Sequence, residues 1–178
     1  NFHVSIPQSD AVDPAQGPRL SRQILLNIAG GFCQTQIDAA ALFTDSFGAG
    51  YAYLAALAQQ LKGVTYVGKL EVADGVTALG FRRGTEWMLA IWSDKAEQDV
   101  SIHTENAAEI DLRDARNNPL PPPEIKNAAV SVSVGPEPRF LSGKAGSVLM
   151  QVGISAIHAS AASIVESEGL RPGLPPDI

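Results

Sequence analysis

Two predicted helices account for most of the first 63 residues. Apolar residues recur at helical spacing between residues 14 and 30, at Leu20, Ile24 and Ile28. Asp13-Pro14 is expected to begin this helix, with Asp13 as the N-cap, and Gly30-Gly31 to end it. A buried strand and a loop are predicted over 32–43. A second helix is predicted from Gly48 to Gly63, and its apolar face is Leu54, Leu57, Ala58 and Leu61.

From Val64 onward the apolar period changes to two, which predicts β-strands. Asp74-Gly75 is a type I′ hairpin dipeptide, and Arg83-Gly84 marks a second turn. Strands are expected at 64–72, 76–81, 86–92, 99–103, 109–112, 128–134 and 139–141, with a turn-rich crossing at 115–123. About seven short strands at such spacing favour an antiparallel β-sandwich.

The strand at 86–92 is apolar on both faces. Trp87, Leu89 and Ile91 alternate with Met88, Ala90 and Trp92. A strand of this kind is expected at the centre of a sheet or covered on both sides.

Composition excludes several classes of protein. The chain has 178 residues, of which 45% are hydrophobic, so a packed core is expected. Its net charge of −6 argues against a nucleic-acid binder. Cys33 is the single cysteine, which rules out an internal disulfide, and His3, His103 and His158 are far apart in sequence. Neither a metal site nor a cofactor is expected.

The end of the chain, 143–178, is ambiguous between strand and helix. Residues 145–165 are apolar, but Gln151, His158 and several serines argue against a membrane-spanning helix. Residues 1–13 have neither a basic region nor a continuous apolar region, so they are not expected to act as an export signal. The tail is a candidate surface for pairing with a second copy of the chain.

The sequence contains few candidate residues for catalysis or binding. No Gly-x-Ser-x-Gly nucleophile motif occurs. Asp38, on the predicted buried strand, is the best polar candidate for a cleft, although pairing with Arg22 or a backbone donor is the simpler expectation. Trp87 and Trp92 are candidates for a sugar-stacking platform, but their place within apolar alternation favours core packing.

Several segments together carry a family resemblance. They are Tyr51-Ala-Tyr-Leu-Ala-Ala-Leu, Asp74-Gly75-Val76, Phe81-Arg-Arg-Gly84, Leu89-Ala-Ile-Trp92, Ile110-Asp-Leu-Arg-Asp-Ala-Arg-Asn-Asn-Pro119 and Gly135-Pro-Glu-Pro-Arg-Phe-Leu141. Over residues 14–142 the chain resembles the end of bacterial TIM-barrel glycoside hydrolases of the retaining clan, similar to beta-xylosidases and exopolysaccharide hydrolases.

The resemblance implies an α+β chain in three parts. Residues 1–63 would be a partial βα remnant of a TIM barrel, 64–142 an antiparallel β-sandwich, and 143–178 a tail. The catalytic residues of such enzymes are glutamates on earlier barrel strands, and residues 1–63 contain no glutamate. The nucleophile would lie at or just before Asn1.

The chain is therefore expected to be the C-terminal, non-catalytic part of a glycoside-hydrolase-like protein, with the sandwich structural or cleft-shaping. Its partners would be a polysaccharide or the missing barrel portion, its location periplasmic or extracellular, and its substrate-binding residues Asp38, Trp87 and Trp92. The alternatives are a stand-alone carbohydrate- or protein-binding sandwich and an assembly protein whose tail pairs with a neighbour.

Overall fold

The computed structural model describes residues 15–32, 35, 37, 43–44, 46–47, 49–103, 110–126 and 129–143. Most of the strand predicted at 32–43, and the tail beyond Gly143, lie outside these residues. The elements are α1 (Gln16–Ala29), β1 (Phe43–Thr44), β2 (Ser46–Phe47), α2 (Ala49–Gln60), β3 (Thr65–Leu70), β4 (Val76–Arg83), β5 (Glu86–Ser93), β6 (Gln98–His103), β7 (Asp111–Arg113), β8 (Glu124–Lys126), β9 (Ala129–Val134) and β10 (Arg139–Gly143).

Helix α1 ends at the predicted glycines but begins two residues later than predicted. Gly31 has φ +77°, and its N–H donates to the Ile28 carbonyl while the Phe32 N–H donates to that of Asn27. These two bonds form a Schellman cap. At the other end Ala15, not Asp13, occupies the N-cap position, because its carbonyl accepts the first helical bond from the Arg19 N–H at 3.1 Å. Asp13 lies outside the described residues.

The buried face of α2 is rotated from the predicted one. Ala58 is exposed and Leu54 only half-buried. The residues of α2 that are buried are Gly50, Tyr53, Ala56, Leu57 and Gln60. The rotation brings the Tyr53 ring against Gly17 of α1, where the absent side chain leaves room for it. The pattern of aliphatic residues alone therefore identified the helix but not its exact orientation.

The strands from β3 to β10 form two antiparallel sheets. The first has the order β3-β4-β5-β10-β7 and the second β6-β9-β8, while β1 and β2 pair separately. The described chain is thus α+β, mostly antiparallel sheet with two helices. Strand β8, which the sequence did not predict, follows the turn-rich crossing and pairs with β9.

The two predicted hairpins have different loops. Arg83 and Glu86 pair directly, so Gly84-Thr85 is a two-residue loop, with Gly84 at φ +56°. Asp74-Gly75 also forms the predicted tight turn, closed by the Val76 N–H donating to the Ala73 carbonyl at 3.1 Å. It is not of the predicted type I′, because only Gly75 of the two residues has a positive φ, and the paired residues of β3 end at Leu70, opposite Ala78. Gly75 has φ +74°, and its carbonyl accepts the Asp94 N–H at 3.1 Å.

Strand β5 lies at the centre of the first sheet and is covered on both faces, as predicted. The residues between the two sheets form the inter-sheet core, which includes Trp87, Leu89, Ile91, Val100, Leu112, Val130, Val132 and Leu141. Those between the first sheet and the helices form the helix-facing core, which includes Leu25, Tyr53, Leu57, Leu79, Phe81, Met88, Ala90, Trp92 and Phe140. The described part of the chain is therefore a three-layer structure of helices, sheet and sheet.

Candidate functional site

A cavity of about 350 Å³ lies where the helix layer stops short of the end of the five-stranded sheet. The C-terminal residues of α2, Gln59 and Gln60, form one wall. The β4–β5 hairpin forms a second wall with Arg83 and Glu86, and Asn117 lines the cavity from the loop after β7. The cavity thus joins elements that are far apart in sequence.

The strand register explains the floor of the cavity. Ser142 of β10 pairs with Met88 on one side and Asp111 on the other, and Phe140 pairs with Arg113. Alternate residues of a strand point to the same face. Met88 and Phe140 belong to the helix-facing core, so the floor is the uncovered end of that face.

The Arg83 guanidinium group donates hydrogen bonds to the C-terminal end of α2. Its Nε donates to the Lys62 carbonyl at 3.0 Å and its Nη2 to the Gln60 carbonyl at 2.6 Å. Carbonyls at a helix C-terminus lack intrahelical partners and carry partial negative charge, so a guanidinium group stabilises them. The Glu86 carboxylate is only loosely paired with Arg83, at 4.0 Å.

On the other side of the cavity from Arg83, hydrogen bonds hold Arg113 in place. Its Nε donates to the Asp111 carboxylate at 2.6 Å, and its Nη1 to the Asn117 carbonyl at 3.2 Å. Asn117 has φ +66°, a left-handed conformation that asparagine tolerates better than most residues. The charged side chains lining the cavity are two arginines and two carboxylates, so they sum to zero.

Gln60 lines the cavity with an incompletely satisfied amide. Its Nε2 makes a long hydrogen bond of 3.4 Å to the Asp114 carbonyl, and its buried Oε1 has no partner. A buried acceptor without a donor costs about 1–3 kcal/mol. The last residue of α2 therefore has a side-chain amide whose hydrogen-bonding capacity is incompletely used by the described residues.

The three residues predicted to bind substrate are not brought together by the described structure. Trp87 packs in the inter-sheet core, although it also lines the cavity. Trp92 lies in the helix-facing core and is 1% exposed. The indoles point to opposite faces of β5 and do not form an exposed coplanar platform, as the core-packing alternative predicted.

Asp38 lies outside the described residues. Arg22, its expected partner, pairs with Asp94 at 3.3 Å, and a pairing with Asp38 is untested. A substrate-binding role for Asp38, Trp87 and Trp92 stays a prediction.

The polar residues of the cavity were missed at the sequence level. Gln59 and Ser142 belong to no motif, and Asn117 lies in the segment 110–119 that carries the resemblance. They meet only where the end of α2 lies over the paired strands β5, β10 and β7. The turn-rich crossing predicted at 115–123, which includes Asn117, was the one signal in the pattern of residues. In the described part of the chain, no three metal-ligating side chains cluster, and neither helix has the length and apolarity to span a membrane.

Comparison with known proteins shows the fold alone. No protein-family model matches the sequence, and no curated protein does. Among solved structures, the chain is similar to a family 39 glycoside hydrolase from the gut symbiont Bacteroides cellulosilyticus WH2. The TM-score is 0.61 at 19% identity, over 75% of this chain and 31% of that one.

Two family 30 glycoside hydrolases are similar as well. An endoxylanase from Clostridium papyrosolvens C71 gives a TM-score of 0.54 at 12% identity, over 80% of this chain and 42% of that one. The subfamily 8 xylanase Xyn30A from Clostridium acetobutylicum gives 0.56 at 11%, with 80% and 43% covered. The chain thus has a glycoside-hydrolase-like fold and spans less than half the length of these enzymes. A TIM-barrel remnant is not established by this likeness.

Proposed function

We propose that this chain is the C-terminal, non-catalytic part of a glycoside-hydrolase-like protein of the xylosidase or exopolysaccharide-hydrolase type. In this proposal α1 and α2 are the last helices of a barrel. The β-sandwich covers the barrel side and shapes the substrate cleft. A polysaccharide is then the substrate of the whole protein.

The observation that carries the proposal is the absence of charge on α2. None of the residues from Ala49 to Gln60 is charged, although only one side of the helix packs on the sheet. A helix that is apolar all round is typically buried all round. The outward face of α2 is therefore suited to contact further protein.

The helix layer exposes several large apolar side chains. Leu26 and Phe32, at the end of α1, are 45% and 43% exposed, and Tyr51 of α2 is 41% exposed. The outer surface of the sandwich differs, because it carries ion pairs such as Arg139–Glu97. The helix layer is thus the better candidate for contact with the missing barrel portion.

Catalysis by this chain alone is not expected. A retaining mechanism needs a nucleophilic carboxylate and a proton donor about 5 Å apart. Residues 1–63 supply only the aspartates Asp10, Asp13, Asp38 and Asp45 and no glutamate. We expect no turnover of aryl glycosides or bacterial exopolysaccharides by the purified chain. Turnover that disappears in Asp38→Asn, with folding intact, would contradict this expectation.

Whether the chain is part of a longer glycoside-hydrolase-like protein can be tested separately. The reading frame that encodes the chain should extend upstream through further βα units. In the longer protein, Tyr51→Arg should lower the unfolding temperature and expose the helix layer to hydrogen exchange, while the exposed control Asp99→Lys on β6 should change neither. A start codon directly before Asn1, or an inert Tyr51→Arg, would favour a stand-alone module.

A further inference from the structure

The cavity at the end of α2 has the size of a small-molecule site. Its volume of about 350 Å³ lies within the ~300–1,000 Å³ that ligand pockets occupy. Its lining is dominated by hydrogen-bonding groups: the amides of Gln59 and Asn117, the hydroxyl of Ser142 and the carboxylates of Glu86 and Asp111. The lining therefore favours a polar ligand.

The charge distribution argues against an ionic ligand. The Arg113 guanidinium faces the Asp111 carboxylate at 2.6 Å, and Arg83 donates to two carbonyls at the end of α2. Neither guanidinium group presents an unopposed positive charge, and neither carboxylate stands without a nearby arginine. A charged ligand would thus lose hydration without a net opposite charge to compensate for it.

The hydrogen-bonding balance points to a ligand that donates. The Glu86 carboxylate is separated from Arg83 by 4.0 Å and is 56% exposed, so most of its acceptor capacity remains. A phosphate or carboxylate ligand could only accept hydrogen bonds, whereas hydroxyl groups both donate and accept. Planar amide and carboxylate groups suit pairs of adjacent hydroxyls.

We propose that this cavity binds a neutral polyhydroxylated ligand, a mono- or disaccharide unit. The floor around Met88 and Ser142 receives the ring, and Glu86, Asp111 and Asn117 contact its hydroxyl groups. This inference does not rest on the proposed function, because the cavity is formed entirely within the described residues of α2 and the five-stranded sheet.

The proposal is tested by titrating the ¹⁵N-labelled full chain with cellobiose, xylobiose and maltose. At least one of these neutral disaccharides should shift the amide signals of Gln59, Glu86, Arg113 and Asn117 in a saturable way. Glucuronic acid and glucosamine should bind about tenfold more weakly, because each brings an uncompensated charge.

Matched variants assign the binding to the cavity. Glu86→Gln should weaken it about tenfold, as expected for a lost hydrogen bond to a charged acceptor, and Ser142→Ala should weaken it less. The controls are Glu71→Gln in the β3–β4 loop and Ser101→Ala on β6, both exposed and outside the cavity. They should bind like the unaltered chain, and thermal unfolding should confirm that all four variants are folded.

Three results would overturn the proposal. The first is the absence of cavity shifts with all three disaccharides. The second is binding of glucuronic acid or glucosamine as tight as that of the neutral sugars. The third is a crystal structure of the full chain in which other residues of the chain fill the cavity.

Discussion

The two faces of β5 are covered by different kinds of partner. The inter-sheet core is largely aliphatic, and every one of its buried residues lies between Val76 and Leu141. The helix-facing core is richer in large and aromatic side chains and depends on Leu25, Tyr53 and Leu57 from the helices. The β-sandwich thus closes one face of its central sheet by itself, whereas the other face requires the helix layer.

Polar contacts join the helix layer to the sandwich, among them the hydrogen bond from Gln60 Nε2 to the Asp114 carbonyl. The Tyr53 hydroxyl donates to Glu137 at 2.8 Å, Arg22 pairs with Asp94, and Arg83 bonds the end of α2. The helix layer is therefore bound to the sheet on one side, while its other side includes the uncharged outward face of α2. The following experiments test this asymmetry, from the largest expected effect to the smallest.

Separating the two regions should have the largest effect. A fragment of residues 1–62 loses the sheet on which Leu25 and Leu57 pack. Two helices do not bury enough apolar surface to offset the entropy of ordering their residues. We expect an NMR spectrum without dispersed amide signals, with the full chain as the control. A folded fragment would mean that the helix layer has a core of its own.

Substituting each of the two tryptophans in turn compares how the two cores contribute to stability. Trp87→Ala and Trp92→Ala should each lower the free energy of unfolding by about 3–5 kcal/mol, because both indoles are buried. Urea titration measures this loss. Hydrogen exchange should separate the two: Trp92→Ala should reduce the protection of α1 and α2 more than Trp87→Ala does. Equal losses of protection in the helices would contradict the distinction between the cores.

Strand β5 also shows how much the sequence could reveal. An apolar residue at every position from Trp87 to Trp92 was sufficient to predict a central strand covered on both sides. The alternation of Val130, Val132 and Val134 with serines likewise predicted β9 and its buried face. Such predictions succeed because side chains alternate strictly along a strand.

Other features depend on contacts that no local pattern encodes. The orientation of α2 is set by the Tyr53 ring against Gly17, two residues that are remote in sequence. The cavity forms because α2 ends before the sheet does, and its polar residues belong to separate elements. The pattern of each segment therefore gave its secondary structure, but the site required the tertiary arrangement.

Gly17 tests how closely the helix layer is packed. A Cβ at this position would lie 2.7 Å from Cγ of the Tyr53 ring. Without this contact, Gly17→Ala should stabilise the helix, by up to about 1 kcal/mol. With it, overpacking costs about 1–3 kcal/mol, and we expect net destabilisation in urea titrations. In a Tyr53→Ala background the same substitution should become stabilising. Stabilisation in the unaltered chain would show that the helices separate easily.

Tyr53 also gives the contact between helices and sandwich a pH dependence. Burial and then the hydrogen bond to Glu137 raise the pKa of Tyr53 from 10.0 to about 12. A raised pKa means that the folded state retains the proton longer than the unfolded state. The stability gained is complete below pH 10 and is lost as the pH rises through 12.

The measurement is the free energy of unfolding between pH 9 and about 12, with Tyr53→Phe as the test variant. Its stability should fall less steeply over this range than that of the unaltered chain. The exposed Tyr51→Phe serves as the control for substitution as such. Identical slopes for Tyr53→Phe and the unaltered chain would contradict the assigned pKa.

The smallest effects are expected at the exposed ion pairs. Arg22–Asp94 joins the two regions, and Asp74–Lys95 lies within the sandwich at 2.7 Å. The hydrogen bond from Lys95 lowers the pKa of Asp74. The small contribution of this pair to stability is therefore present above the ordinary carboxyl range and is lost as the pH falls through the lowered pKa.

Exposed pairs are screened by salt and contribute little. Arg22→Gln and Lys95→Gln should therefore change the thermal midpoint only slightly, and the difference should disappear in 1 M NaCl, where screening is nearly complete. A large, salt-resistant loss for Arg22→Gln alone would show that the helix layer is attached by this ion pair rather than by the helix-facing core.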